Sequence, residues 1–127
     1  MVAEVMDLVQ IESVRLDQDR LHALYLQMGE AGAEDVVCRA IEELAVRLAH
    51  CERLWREQDL ADLRKSARSL IAISDQVGMT TLARVARDVT LSIDSGDRIA
   101  VGATLFRLMR IGDRSLTAVW DLQDISI

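Results

Sequence analysis

ARSLIAISDQVGMTTLARVARDV, which runs from Ala67 to Val89, indicates the fold class of this protein more clearly than any other segment. It contains two amphipathic segments that are separated by a break at Gly78. In each segment apolar side chains recur every three or four residues, which is the spacing of one buried helical face. Gly78 can adopt the left-handed conformation that closes a helix. The stretch therefore predicts two successive helices joined by a short turn.

The same spacing continues on both sides of this stretch. Helices are predicted over Ala33 to Arg56, Asp59 to Ser74, Thr80 to Ile93, and from Asp97 towards residue 124. Asp59 and Asp97 are predicted helix caps, because a carboxylate accepts hydrogen bonds from the free amides of a first turn. The predicted inward-facing side chains are Val37, Ile41, Leu44, Leu48, Cys51, Trp55, Leu60, Leu63, Ala67, Leu70, Ser74, Leu82, Val85, Ala86, Val89, Ile93, Val101, Leu105, Leu108, Ile111 or Gly112, Leu116 and Val119.

The composition agrees with an all-α class. The 127 residues include no Pro, one Phe, one Tyr and two Trp, so few residues favour strands and none blocks a helix. Short connections make successive helices antiparallel neighbours, which predicts an up-down four-helix bundle. We expect a single domain over residues 1–127, with the bundle in residues 33–124. Residues 1–30 are predicted to add a short N-terminal helical segment on or near the bundle, with helices over Val2 to Ile11 and Asp17 to Met28, although Val9-Gln10-Ile11 is also compatible with an extended segment.

The central stretch resembles the signature of the histidine-containing phosphotransfer (HPt) family of bacterial phosphorelays. That signature looks like Ala-His-x-Leu-Lys-Gly, followed by a Gly and then by a Leu and an Ala on the next helix. The corresponding residues here are Ala67, Arg68, Leu70, Ile71, Ala72, Gly78, Leu82 and Ala86. The family's His, Lys and Gly are thus replaced by Arg68, Ile71 and Ala72. The resemblance implies an HPt-like scaffold that lacks the phosphoacceptor.

Weaker signals extend this resemblance over nearly the whole chain. Leu16-Asp17, followed by Leu21, Leu24 and Gly29, is similar to the short amphipathic segment that precedes the bundle in many members. Ser95-Gly96-Asp97 resembles the short turn into the last helix. The order and spacing of these signals, rather than any one of them, carry the resemblance.

The resemblance implies a protein that binds instead of catalysing. In phosphorelay domains the face of the phosphoacceptor helix docks a response-regulator receiver, which presents an acidic pocket. A guanidinium cannot accept phosphate, but its planar fork of donors pairs well with carboxylates. We therefore expect Arg64, Lys65, Arg68 and Ala72 to bind a receiver domain or a histidine kinase, with no enzymatic activity.

Helical geometry alone also predicts that Arg68 faces solvent. At 100° per residue, Arg68 points about 120° away from the centre of the apolar stripe on its helix. Arg64 and Lys65 share this outward side with small alanines. The alternative interpretation is that these three cations form an ordinary solvated helix face that keeps the bundle soluble.

Two further functions remain open at this stage. An active phosphotransferase would use His22 or His50, although neither lies in a recognisable phosphoacceptor context. A structural bundle would self-associate, for example as a homodimer through an apolar helix face. His50 is also compatible with a histidine at the edge of the core that offsets the negative end of its helix.

Several other classes of function lack support in the sequence. No metal site or cofactor is expected, since no Cys-x-x-Cys pair, ligand-spaced histidine or Gly-rich phosphate loop occurs. Cys38 and Cys51 would lie about 20 Å apart on one helix, which is beyond disulfide reach.

Up to Leu63 the chain holds 14 acids and 6 bases, a net charge of −8, and the remainder holds 7 acids and 9 bases, a net charge of +2. This asymmetry favours protein partners over nucleic acid, and the absence of a long apolar run predicts no membrane span and a cytoplasmic protein.

Overall fold

The chain folds into helices that match the predicted pattern. The computed structural model describes residues 16–125, and it describes side chains for residues 16–118. Its helices are α1 (Gln18–Arg56), α2 (Leu60–Gln76), α3 (Thr80–Ser95) and α4 (Arg98–Ile125). Within the described residues no strand forms, and the only β-type pairing is an isolated bridge between Leu16 and Met79. The all-α class is confirmed, whereas the helix predicted over Val2 to Ile11 and the side chain of Val119 lie outside what the structure describes.

The helices surround one apolar core. α1 contacts α2, α2 contacts α3, α3 contacts α4, and α4 returns to α1, while no such contact joins α2 to α4 in the described residues. The arrangement is a four-helix bundle whose interior is filled mainly by Leu, Val, Ile and Ala side chains. Of the predicted inward positions with described side chains, only Trp55, Leu60, Ile93 and Leu116 are partly buried rather than buried. Both Ile111 and Gly112 are buried, so the two alternatives at this position share the interior.

α1 differs from the prediction of two separated helices. The helical segment that begins at Gln18 is interrupted only at Gly29, which has φ 76° and ψ 170°, and helix resumes directly after it. The predicted start at Ala33 is therefore late by a few residues. A single residue suffices for the break because glycine tolerates a positive φ at little steric cost.

The predicted helix caps are confirmed. The Asp59 carboxylate accepts a hydrogen bond from the backbone N–H of Asp62 at 3.1 Å. The Asp97 carboxylate accepts from the N–H groups of Ile99 and Ala100, each at 3.1 Å. These bonds satisfy amides that have no partner inside the helix, so they define where α2 and α4 begin.

The two cysteines are free thiols, and Cys51 packs between α1 and α2. Cys51 is fully buried, and its thiol donates a hydrogen bond to the Ser66 hydroxyl at 3.4 Å, which joins α1 to α2. Burial raises the pKa of the Cys51 thiol above its ordinary value, although the Ser66 hydrogen bond opposes that shift. Cys38 is half-buried and unpaired. The prediction that neither cysteine forms a disulfide within the described residues is confirmed, and the predicted packing role is confirmed for Cys51.

Gly78 ties the N-terminal helical segment to the α2–α3 turn. Its φ is 77°, and its carbonyl oxygen accepts a hydrogen bond of 2.6 Å from the backbone N–H of Asp17. A Cβ atom at Gly78 would lie 2.8 Å from the Asp17 carbonyl oxygen. Leu16, Leu21 and Leu24 pack against the edge of the core beside this junction. The turn is thus the point at which the N-terminal segment attaches to the bundle.

None of the helices in the described part of the chain combines the length and the apolar character that a membrane span needs.

Gly78→Ala should destabilise the fold more than Gly96→Ala. Both glycines have a positive φ, which costs about 1 kcal/mol in a residue with a side chain. Gly96 has open space around it, whereas a Cβ at Gly78 meets the backbone of Asp17. We therefore expect about 1–3 kcal/mol of additional loss for Gly78→Ala, measured by urea unfolding followed by circular dichroism. Equal losses in the two variants would contradict the role of the Asp17 contact.

Candidate partner-binding site

Arg68 lies on the outer surface of α2, as the helical geometry predicts. The opposite side of the helix holds Leu63, Ala67 and Leu70, all of which are fully buried. Arg68 itself is exposed. Because the buried stripe fixes the rotation of α2 about its axis, the guanidinium is presented to solvent near the middle of the helix.

Two ion pairs join α2 to α3 along their shared edge. The Arg64 guanidinium donates two hydrogen bonds to the Asp94 carboxylate, from Nε to Oδ1 at 2.7 Å and from Nη2 to Oδ2 at 3.1 Å. Near the other end of the edge, Arg87 Nη2 lies 3.2 Å from Asp75 Oδ2. The earlier residue of α2 thus meets the later residue of α3, which means that the two helices run antiparallel.

The charge of Arg64 is largely committed to Asp94. Hydrogen bonds from Arg64, together with the positive charges of Arg64 and Arg68, hold the pKa of the Asp94 carboxyl below its ordinary value, although desolvation opposes them. The same hydrogen bonds and the Asp94 charge raise the pKa of the Arg64 guanidinium. A bidentate arginine–carboxylate pair is strong and directional. A partner would therefore compete with Asp94 for Arg64.

Arg68 is the free cation of this surface. Within the part of the chain that the structure describes, its side chain makes no hydrogen bond and no ion pair. Its charge nevertheless acts on Asp94 by lowering the pKa of that carboxyl. One turn further along α2, Ala72 is exposed and short, so it leaves room beside Arg68. Lys65 is 82% exposed, and its Nζ lies 3.9 Å from Asp62 Oδ1, which is a loose contact.

An exposed apolar side chain lies on α3 one turn from the Arg64–Asp94 pair. Leu91 lies on α3 one turn before Asp94, and it is 63% exposed. Arg68 follows Arg64 by one turn and Leu91 precedes Asp94 by one turn, so the two residues lie at corresponding heights on the antiparallel helices. We define the Arg68 face as the surface formed by Arg64, Lys65, Arg68, Ala72, Leu91 and Asp94. It combines one free guanidinium, one engaged guanidinium, small side chains and an apolar contact point.

The predicted site residues do lie on one surface, but two of its members were not predicted. Asp94 is 30 residues from Arg64 in the sequence, and no helical periodicity relates positions on different helices. The role of Leu91 could not be predicted from the sequence for the same reason, because its position relative to Arg68 depends on the register of two helices. The sequence contains one signal, the cluster of the cations Arg64, Lys65 and Arg68 in α2. This cluster favours a nearby carboxylate but does not locate it.

The other residues singled out from the sequence lie away from this face. His22 is exposed and His50 is half-buried, and both belong to α1. Ile71 is partly buried against the core, so the position that corresponds to the family's lysine carries an apolar packing residue. Among the described residues, no group of three His, Cys, Asp or Glu side chains is placed to hold a metal ion.

The chain was compared with known proteins. The comparison found no matching family model, no matching curated protein and no matching solved structure.

The Arg64–Asp94 pair should make stability depend on pH. Since the folded-state pKa of Asp94 is lowered, the pair stabilises the fold above the pKa of Asp in the unfolded chain. This contribution is lost as the pH falls through the lowered folded-state pKa. We expect Asp94→Asn to be less stable than the wild type at neutral pH, with a difference that disappears in strong acid, as measured by thermal unfolding across pH.

Arg64→Gln is the matched control for this prediction. It removes the same ion pair by changing the cation. Its loss of stability relative to the wild type should therefore also be present at neutral pH and disappear in strong acid. A stability offset for Asp94→Asn that stays constant down to the lowest pH would contradict the ion-pair contribution.

Proposed function

We propose that this protein is an HPt-like docking module that binds a response-regulator receiver domain or a histidine kinase without transferring phosphate. The Arg68 face is the proposed contact surface. The proposal rests on the resemblance in the sequence together with the placement of Arg68.

The arrangement of the helices supports the HPt-like, up-down part of this proposal. Arg64 of α2 pairs with Asp94 of α3, and Asp88 of α3 lies 3.6 Å from Arg107 of α4. The early Arg64 of α2 thus meets the late Asp94 of α3. Since the Ser92 hydroxyl of α3 lies 3.4 Å from the Thr104 hydroxyl of α4, a step back along α3 from Ser92 to Asp88 corresponds to a step forward along α4 from Thr104 to Arg107. Gly78, which corresponds to the later glycine of the family signature, has the positive φ that only glycine adopts readily.

A single observation carries the functional proposal, namely the exposed and unpaired guanidinium of Arg68. The neighbouring Arg64 is already paired with Asp94, so its charge is less available to a partner. The positive charge that remains on this surface is therefore carried by Arg68 and by the loosely paired Lys65. A planar guanidinium that is flanked by the small Ala72 and the apolar Leu91 suits the carboxylates of an acidic pocket.

The same residues explain why we propose binding rather than phosphotransfer. Phosphotransfer through histidine needs a neutral imidazole nitrogen that attacks phosphorus. The Arg68 guanidinium stays protonated and delocalised, so it has no nitrogen lone pair available for attack. Ile71 cannot supply the positive charge of the family's lysine, because its side chain is apolar and partly buried.

Arg68→Glu should abolish binding to the partner. Receiver domains and histidine kinases from the same genome provide the panel, and affinity is measured by biolayer interferometry with and without added salt. We expect a loss of at least about tenfold in affinity, because the reversal turns attraction to an acidic pocket into repulsion. The wild-type affinity should fall as salt increases, since the contact is exposed. Arg53→Glu is the matched control, because Arg53 is also exposed but lies on α1.

The same panel tests the alternatives. Binding that is equally strong in wild type and Arg68→Glu would exclude the Arg68 face. Acid-labile phosphate on this protein after incubation with a phosphorylated receiver would overturn the non-catalytic proposal and direct attention to His22 and His50. A failure to bind any receiver or kinase would favour the structural bundle.

Asp94→Asn should strengthen the same interaction. The substitution removes the internal carboxylate that competes for Arg64 and adds a second free guanidinium to the Arg68 face. We expect an affinity several-fold higher than that of the wild type, because a second guanidinium becomes available to the partner's carboxylates. The double variant Arg64→Gln/Asp94→Asn is the control, because it removes the competitor without freeing a cation. Weaker binding by Asp94→Asn alone would mean that the partner contacts Asp94 itself.

A further inference from the structure

The outer side of α4 carries a row of apolar side chains that the bundle does not use. Ile99 is 86% exposed and Phe106 is 68% exposed, and the exposed Ala103 lies between them at helical spacing. Phe106 is the only phenylalanine in the chain. Large aromatic side chains are normally placed in a core or an interface, because they bury much apolar surface. The chain instead places its Phe on the surface.

Charged residues lie at both ends of this row. Arg98 is exposed in the first turn of α4, and Asp113 is exposed beyond Phe106. Neither side chain makes an ion pair or a side-chain hydrogen bond within the described part of the chain. Arg110 lies with its guanidinium carbon 5.8 Å from the centre of the Phe106 ring and covers part of it. We call the residues Arg98, Ile99, Ala103, Phe106, Arg110 and Asp113 the α4 stripe.

The α4 stripe is complementary to a second copy of itself. At 1.5 Å per residue, Arg98 lies about 12 Å before Phe106 and Asp113 lies about 10 Å after it. At 100° per residue, Arg98 and Asp113 also lie within about 60° of each other around the helix, on the same flank of the stripe. A two-fold axis at Phe106 therefore brings Arg98 of one chain opposite Asp113 of the partner subunit. The pair occurs twice, because the interface is isologous.

We propose that the protein forms a homodimer through antiparallel pairing of the α4 stripes. The Phe106 rings meet at the two-fold axis, Ile99 and Ala103 extend the apolar contact, and two Arg98–Asp113 pairs set the register. One helix per subunit gives an interface near or below the roughly 1,200 Å² lower limit of standard interfaces, so the dimer should dissociate on dilution.

This dimer leaves the Arg68 face accessible. α2 and α4 do not contact each other in the described residues, which places them on opposite corners of the bundle. The homodimer does not depend on the proposed binding of a receiver or kinase. It would present two Arg68 faces in one assembly, which increases avidity for a partner that is itself dimeric.

Sedimentation velocity of the full chain over a range of concentrations tests the dimer. We expect a monomer–dimer equilibrium for the wild type and a dissociation constant at least about tenfold larger for Phe106→Glu. Val46→Glu is the matched control, because Val46 is 70% exposed on α1 and should leave the equilibrium unchanged. Circular dichroism verifies that each variant is folded. A wild type that is monomeric at every concentration, or a dimer that Phe106→Glu leaves intact, would overturn the proposal.

A charge swap tests the register of the two chains. Arg98→Glu and Asp113→Lys should each weaken the dimer several-fold, because each creates two like-charge contacts across the axis. The double variant Arg98→Glu/Asp113→Lys recreates both pairs with reversed polarity and should recover the wild-type dissociation constant to within about twofold. Loss in both single variants without recovery in the double variant would overturn the proposed pairing.

Discussion

The turn at Gly78 reverses the chain between α2 and α3 within a few residues, and it therefore limits how far one helix can shift along the other. Its carbonyl also binds the backbone of Asp17, so the N-terminal helical segment is held at the same place. The register that follows from the turn brings Arg64 to Asp94 and Arg87 to Asp75. The close-packed core fixes this register, and the two exposed ion pairs at opposite ends of the edge are compatible with it and add little to its stability.

Neutralisation within the Arg68 face gives its charges unequal roles. Four ionisable side chains lie on this surface, yet the Arg64–Asp94 pair cancels two of them and Lys65 lies loosely beside Asp62. Arg68 therefore carries the charge that is most available to an incoming carboxylate. Arg64 becomes available only to an external carboxylate that binds its guanidinium more tightly than Asp94 does. The affinity of the face for acids is thus set by competition between an internal carboxylate and an external one.

The sequence was sufficient for the elements of the fold but not for the details of the site. Helical periodicity predicted the buried stripes of α2 and α3, and the caps at Asp59 and Asp97 followed from local chemistry. These features depend on residues a few positions apart. The Arg64–Asp94 pair and the position of Leu91 depend on helix register, which is a property of the assembled core. Gly29 is an intermediate case, since its position suggested a break but not that helix would resume directly after it.

The distribution of exposed residues around the bundle separates two kinds of surface. The Arg68 face on α2 and α3, which we propose as a docking surface, is dominated by charge, whereas the α4 stripe is an aromatic and aliphatic row that ends in opposite charges. Since α2 and α4 occupy opposite corners, contacts on one surface do not obstruct the other. A change in the core between them would alter both, because the same buried stripes fix the rotation of each helix. Surface substitutions, in contrast, should act on one surface alone, and this independence makes a binding role for Arg68 separable from self-association through Phe106.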